Sequence, residues 1–127
     1  MPGCCYRGDS IMRFLLVAAA MLLSVAAAFA ADPVGTYKLE GTYLSGSTYS
    51  GTVTVTKTGE TYKVVWEING GYTFTGTAIG NGQFMAISYV YEKGTGLALV
   101  AADGGNWNSL WTPGGGTKIG KETWKRQ

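Results

Sequence analysis

Thr61-Tyr62-Lys63-Val64-Val65-Trp66-Glu67-Ile68 is the stretch from which the fold class follows. Tyr62, Val64, Trp66 and Ile68 alternate with Thr61, Lys63, Val65 and Glu67, the period-two pattern of a strand with one buried and one wet face. Asn69-Gly70 follows at once, a dipeptide that tolerates the positive φ of a type I′ hairpin turn. Working outward, Thr52 to Thr56 alternates Thr with Val53 and Val55, and Thr73, Thr75 and Thr77 alternate with Tyr72, Phe74 and Gly76. Thr-rich, β-branched stretches favour strand and penalise helix. Asn81-Gly82 and Asp103-Gly104 repeat the turn signal, with weaker ones at Gly46, Thr58-Gly59, Lys93-Gly94 and Pro113 to Gly116. These punctuate the chain into eight expected strands, at 36–44, 49–57, 61–68, 72–80, 83–92, 95–102, 106–112 and 117–125, with Pro33 and Pro113 outside them.

Eight short consecutive strands joined by tight hairpins predict an all-β domain, an eight-stranded antiparallel up-and-down β-barrel, because closure removes the edges a flat meander would expose. A two-sheet sandwich is the alternative. Neither an amphipathic helix nor a linker is visible. Of the 20 glycines, 18 lie in residues 31–127, where turns and the bends of barrel strands use them.

Ahead of this domain, Phe14 to Ala30 is apolar apart from Ser24, follows Arg13 and closes on Ala28-Phe29-Ala30, the layout of a signal peptide cut between Ala30 and Ala31. The expected organisation is an upstream extension and signal peptide over 1–30 and one barrel domain over 31–127, secreted or periplasmic, without stable membrane insertion after cleavage. Arg7-Gly8-Asp9-Ser10, a tetrapeptide that integrins recognise, precedes the signal and would be absent from the exported product.

Composition narrows the chemistry. The chain has no His, and its two cysteines, Cys4 and Cys5, stand before the signal. The mature domain therefore lacks Cys and His nucleophiles, bases and metal ligands, and no metal or cofactor is expected. In residues 31–127, eight basic residues (Lys38, Lys57, Lys63, Lys93, Lys118, Lys121, Lys125, Arg126) face seven acids (Asp32, Glu40, Glu60, Glu67, Glu92, Asp103, Glu122). Such a balance gives no field to attract nucleic acid. The acids are scattered, with no pair or nucleophile-base set, so the reading is a binding protein and not an enzyme.

Glu122 is the acid to watch. Gly120, Glu122 and Trp124 share one face of the last strand, and burial of Trp124 would carry a carboxylate into the barrel. Trp66, Trp107, Trp111 and Trp124, with seven tyrosines from Tyr37 to Tyr91, supply wide contact surfaces with polar tips. Trp66 and Trp124 read as core, Trp107 and Trp111 as more available. The expected ligand-binding set is Glu122, Trp107, Trp111 and Tyr62, because a ring-lined cavity needs a few fixed polar groups to orient its ligand.

Gly51-Thr52-Val53, Thr61 to Trp66, Gly76-Thr77-Ala78-Ile79-Gly80, Asp103-Gly104, Trp111 and Gly120-Lys121-Glu122 resemble the rhythm of small exported alphaproteobacterial proteins labelled fibronectin-binding protein. Asn108-Ser109-Leu110 departs from it where a Gly is expected before Trp111. Gly120-Lys121-Glu122-Thr123-Trp124-Lys125 also resembles the eighth strand of the avidin and streptavidin barrel, which implies an avidin-like fold with Glu122 near its polar ligand site. The first strand, Gly41 to Ser47, lacks the Asn-containing ligand pattern of true avidins, so that resemblance carries fold and not ligand. The first resemblance implies an adhesin-like partner, an extracellular or envelope protein such as fibronectin. The second implies a small-molecule ligand in the barrel interior, and a periplasmic inhibitor or structural envelope protein is a further alternative.

Overall fold

A computed structural model describes residues 32–127; the expected signal peptide and its cleavage site lie outside them. Eight strands follow one another: β1 Gly35–Thr42, β2 Thr48–Thr58, β3 Thr61–Ile68, β4 Tyr72–Gly80, β5 Phe84–Tyr91, β6 Gly94–Asp103, β7 Asn106–Pro113 and β8 Gly120–Arg126. Each pairs antiparallel with the next, and β8 pairs back onto β1 from Tyr37↔Arg126 to Thr42↔Lys121. The sheet is thus a closed barrel, which excludes the two-sheet sandwich. Among the described residues there is no helix.

The alternation read from the sequence is the inside-outside alternation of the wall. Tyr37 and Leu39, Val53 and Val55, Val64 and Trp66, Met85 and Ile87, Ala98 and Val100, and Trp107 and Trp124 point inward and are buried. The outer wall is divided. Lys38, Glu40, Lys57, Lys63, Glu67, Lys121 and Lys125 stand on β1, β2, β3 and β8, whereas between Tyr72 and Pro113 the strands carry one charged residue, Asp103, at the end of β6. There Ile79, Leu97, Leu99 and Leu110 are exposed, and Ala86, Leu99 and Leu110 lie side by side across the register.

Turn chemistry differs from the expectation at all three Asx-Gly sites, since every described residue with positive φ is a glycine. The β6–β7 hairpin uses Gly104 (φ 58°) and Gly105 (φ 93°) as its central pair, the signature of a type I′ turn, and Asp103 stays on the strand opposite Asn106. Two glycines reach that backbone without a Cβ penalty, so the Asp is not needed there. After β3 the three-residue turn Asn69-Gly70-Gly71 takes its positive φ at Gly70 and Gly71, while Asn69 bonds back to Ser50. Asn81 turns the chain with its side chain, its Oδ1 accepting the N–H groups of Gln83 and Phe84.

Two strand ends also move. Tyr43 to Ser47 form a loop closed by Tyr43 N–H to the Ser47 carbonyl, which ends β1 at Thr42. Thr112 Oγ1 donates to the Lys118 carbonyl at 2.9 Å, which keeps residues 117–119 out of β8. Pro113 closes β7 opposite Gly96, at a strand end where a missing N–H is tolerated.

The two ends of the barrel are unlike. At the end holding the termini and the β2–β3, β4–β5 and β6–β7 turns, Arg126 donates to the carbonyls of Asp32, Val34 and Gly105 and to the Tyr37 hydroxyl. Tyr37 in turn donates to the Pro33 carbonyl at 2.6 Å and accepts from Trp107 Nε1 at 3.2 Å. That end is stoppered. The other end, ringed by the remaining loops, holds the site.

Candidate functional site

Glu122 enters the interior because β8 alternates with Gly120 and Trp124 on the buried side. Its carboxylate accepts three hydrogen bonds: Tyr49 Oη to Oε1 at 2.6 Å, Trp124 Nε1 to Oε2 at 3.0 Å and Trp66 Nε1 to Oε2 at 3.3 Å. All three donors are neutral, and they come from β2, β3 and β8, so one acid ties together separate parts of the wall. Burial pushes the carboxyl above its ordinary range, opposed by the bonds from Trp124, Tyr49 and Trp66. Since both oxygens accept, the hydrogen-bond pattern matches the ionised form.

A cavity of about 60 Å³ adjoins this group, lined by Tyr43, Tyr49, Trp66, Ile68, Phe74, Tyr89, Ala98, Trp111 and Glu122. On that measure a water occupies roughly 10–15 Å³, so the space takes a compact group of several heavy atoms. It reaches the surface beside Tyr43, which rides on the β1–β2 loop and is 40% exposed. The rings pack tilted or edge to face: Trp66 with Trp124 at 6.0 Å and with Tyr89 at 5.8 Å, Tyr89 with Phe74 at 5.9 Å, Tyr49 with Tyr43 at 4.4 Å and with Trp111 at 6.4 Å. Such geometry sets ring edges against ring faces, as the aromatic quadrupole prefers.

Glycines make the room in which the rings lie. Gly41 is the direct partner of Tyr49, Gly96 of Tyr89 and Gly120 of Trp111, and at each a Cβ would overlap the ring across the strand pair. The rings therefore lie over neighbouring strands, beside the cavity.

Two polar groups at this level are buried without a partner, Ser109 Oγ and Trp111 Nε1. Ser109 is the register partner of Glu122 yet makes no bond to it. Trp111 Nε1 is close enough to influence the Tyr49 hydroxyl but makes no hydrogen bond to it.

Of the four residues expected to form the site, the structure brings Glu122 and Trp111 together in this cavity. Trp107 and Tyr62 are not part of its lining. Trp107 is only 1% exposed and belongs to the stoppered end, bonded to Tyr37, which corrects its reading as an available ring. Strand register explains this. Trp107 lies opposite Trp124 and not opposite Glu122, so it sits one inward position deeper. Tyr62, 7% exposed, stands beside the β2–β3 turn with Lys57 Nζ 4.2 Å from its ring centre. Trp66, read as core, is both core and ligand of the carboxylate. Tyr49, Phe74, Tyr89 and Ala98 join the site only through the register, a signal that needs the pairing itself.

Among the described residues no group of His, Cys, Asp and Glu could hold a metal ion. No family model matches the chain, and no curated protein matches it. Solved structures do, two of them described as redesigned β-barrels. One, mFAP1 bound to DFHBI, superposes with a TM-score of 0.62 at 19% identity, over 73% of this chain and 94% of that one. Another, b11L5F_LGL, gives 0.63 at 18% identity, over 74% and 90%. A third, EF1p2_mFAP2b bound to DFHBI, gives 0.54 at 16% identity, over 74% and 93%. At such identities the likeness is one of fold, and by that fold this chain is a closed eight-stranded antiparallel barrel.

Proposed function

We propose that the protein is a non-enzymatic binder that takes a small molecule into the open end of its barrel. The observation that carries the reading is the interior Glu122 carboxylate, held by three donors beside a ring-lined cavity that reaches the surface at Tyr43. Side chains that only filled a core would leave no such space, and a single oriented polar group among rings is the usual make-up of a small-ligand site. Two of the barrels with this fold hold DFHBI, which supports the interior of such a barrel as a place for a ligand.

Ala98 gives the test, because it is small, buried and part of the lining. Ala98→Leu fills the cavity at a cost of about 1–3 kcal/mol for overpacking. Tryptophan fluorescence titrated with a panel of small aromatic compounds should show quenching in the natural chain and none in the variant. Equal quenching in both would place the ligand outside the barrel.

The outer wall of β4–β7, charged only at Asp103 and with Ile79, Leu97 and Leu99 exposed, favours a second reading as an adhesin-like protein binder, with fibronectin as the partner its sequence resemblance suggests. Leu99→Lys should then abolish capture of fibronectin while leaving cavity binding intact. Export is a separate part of the proposal, supported by the apolar run from Phe14 to Ala30 after Arg13, and N-terminal sequencing of the product, expected to begin at Ala31, tests it.

A further inference from the structure

We infer that the ligand class of this cavity is an organic cation, an alkyl- or arylalkylammonium whose N–H faces Glu122; the inference rests on the small-ligand reading above. Charge balance is the first support. The lining holds one carboxylate and no Lys or Arg, and the three groups that bond the carboxylate are neutral. Its charge is thus solvated by dipoles but not neutralised, and a cation entering beside it would supply the missing countercharge.

Hydrogen-bond accounting is the second. Oε2 accepts from Trp66 and Trp124, whereas Oε1 accepts from Tyr49 alone. A carboxylate offers about four lone-pair sites, so one on Oε1 remains for an N–H of the ligand.

The rings are the third. Tyr43, Tyr49, Trp66, Phe74, Tyr89 and Trp111 surround the space, and aromatic faces attract a cation placed over them. An anion would be repelled by the carboxylate, and a neutral ligand would leave the charge of Glu122 as it was. The size of the cavity suits an ammonium head group, with an organic tail passing Tyr43 toward solvent.

The test uses three probes of one shape on the full chain at neutral pH: benzylammonium, benzyl alcohol and benzoate, each titrated by calorimetry and tryptophan fluorescence. Benzylammonium is expected to bind at least tenfold more tightly than benzyl alcohol, with benzoate weakest, and Glu122→Gln should lower benzylammonium affinity tenfold or more, a larger loss than it causes for benzyl alcohol. If benzyl alcohol binds as tightly as benzylammonium, the cation inference falls and the cavity reading stands. Should none of the probes bind the folded chain, the inference falls, and the aromatic panel with Ala98→Leu decides the cavity reading separately. If Glu122→Gln does not fold, the ranking of the three probes on the natural chain decides alone.

Discussion

Glu122 and Ser109 face each other across β7 and β8, yet one carries three hydrogen bonds and the other none. An unsatisfied buried hydroxyl costs its desolvation and returns nothing, so Ser109→Ala should be neutral or stabilising by up to about 1 kcal/mol, read from the urea midpoint. Glu122 sets the acid side of the stability profile. Its carboxyl titrates above the ordinary 4.5, so the folded chain holds this proton more tightly than the unfolded one. The stability tied to it is complete below about pH 4.5 and declines as pH rises through the folded value. Urea midpoints measured from acid to neutral pH should show that decline in the natural chain and a flatter profile in Glu122→Gln. On the alkaline side, burial first, then Tyr91 and Glu122, push Tyr89 up to about 12, and burial also raises Tyr49 and Tyr37. By the same sign, stability is intact below the ordinary tyrosine value of 10.0 and is lost as pH climbs past it. Phenolate absorbance should show these three rings ionising later than a free tyrosine, with unfolding accompanying their release.

At the scale of the element, the strands were legible because alternation is a local property that survives translation into a barrel wall. Their turns were legible in position and not in type. Asn69, Asn81 and Asp103 stand where chain reversals occur, but neighbouring glycines or an Asn side chain do the bending. The pairing of glycine with ring across neighbouring strands could not be read, because Gly120 and Trp111 become neighbours only when β7 meets β8. That pairing has a measurable price: Gly120→Ala places a Cβ in the Trp111 ring and should destabilise by about 1–3 kcal/mol. A change in tryptophan emission alongside the lowered denaturation midpoint would locate the strain at the indole; an unchanged spectrum and midpoint would mean the ring is not held against that strand.

For the whole molecule, closure rests on β8, which completes the ladder between β7 and β1 and brings Glu122 and Trp124 inside. Arg126 then ties the last strand to the N-terminal segment, the β6–β7 turn and Tyr37. Ending the chain at Ile119 should therefore abolish cooperative unfolding, checked by denaturant titration, since it opens two strand edges and removes the interior network together. Arg126→Ala should keep the fold and speed amide exchange at the stoppered end, in the Gly105 turn and residues 33–37, with little change around Glu122.

By itself the sequence determined that the chain is all-β, how many strands it has, and that Glu122 and Trp124 share a face, because these depend only on alternation and turn residues near in the chain. Only the tertiary structure decided which rings meet that acid. Tyr49 lies 73 residues from Glu122 and Trp66 lies 56 residues away. Their approach follows from strand register and from closure of β8 onto β1. A shift of one residue would turn those side chains to the opposite face, and a shift of two would move them along the barrel axis, the displacement that separates Trp107 from Ser109, the register partner of Glu122.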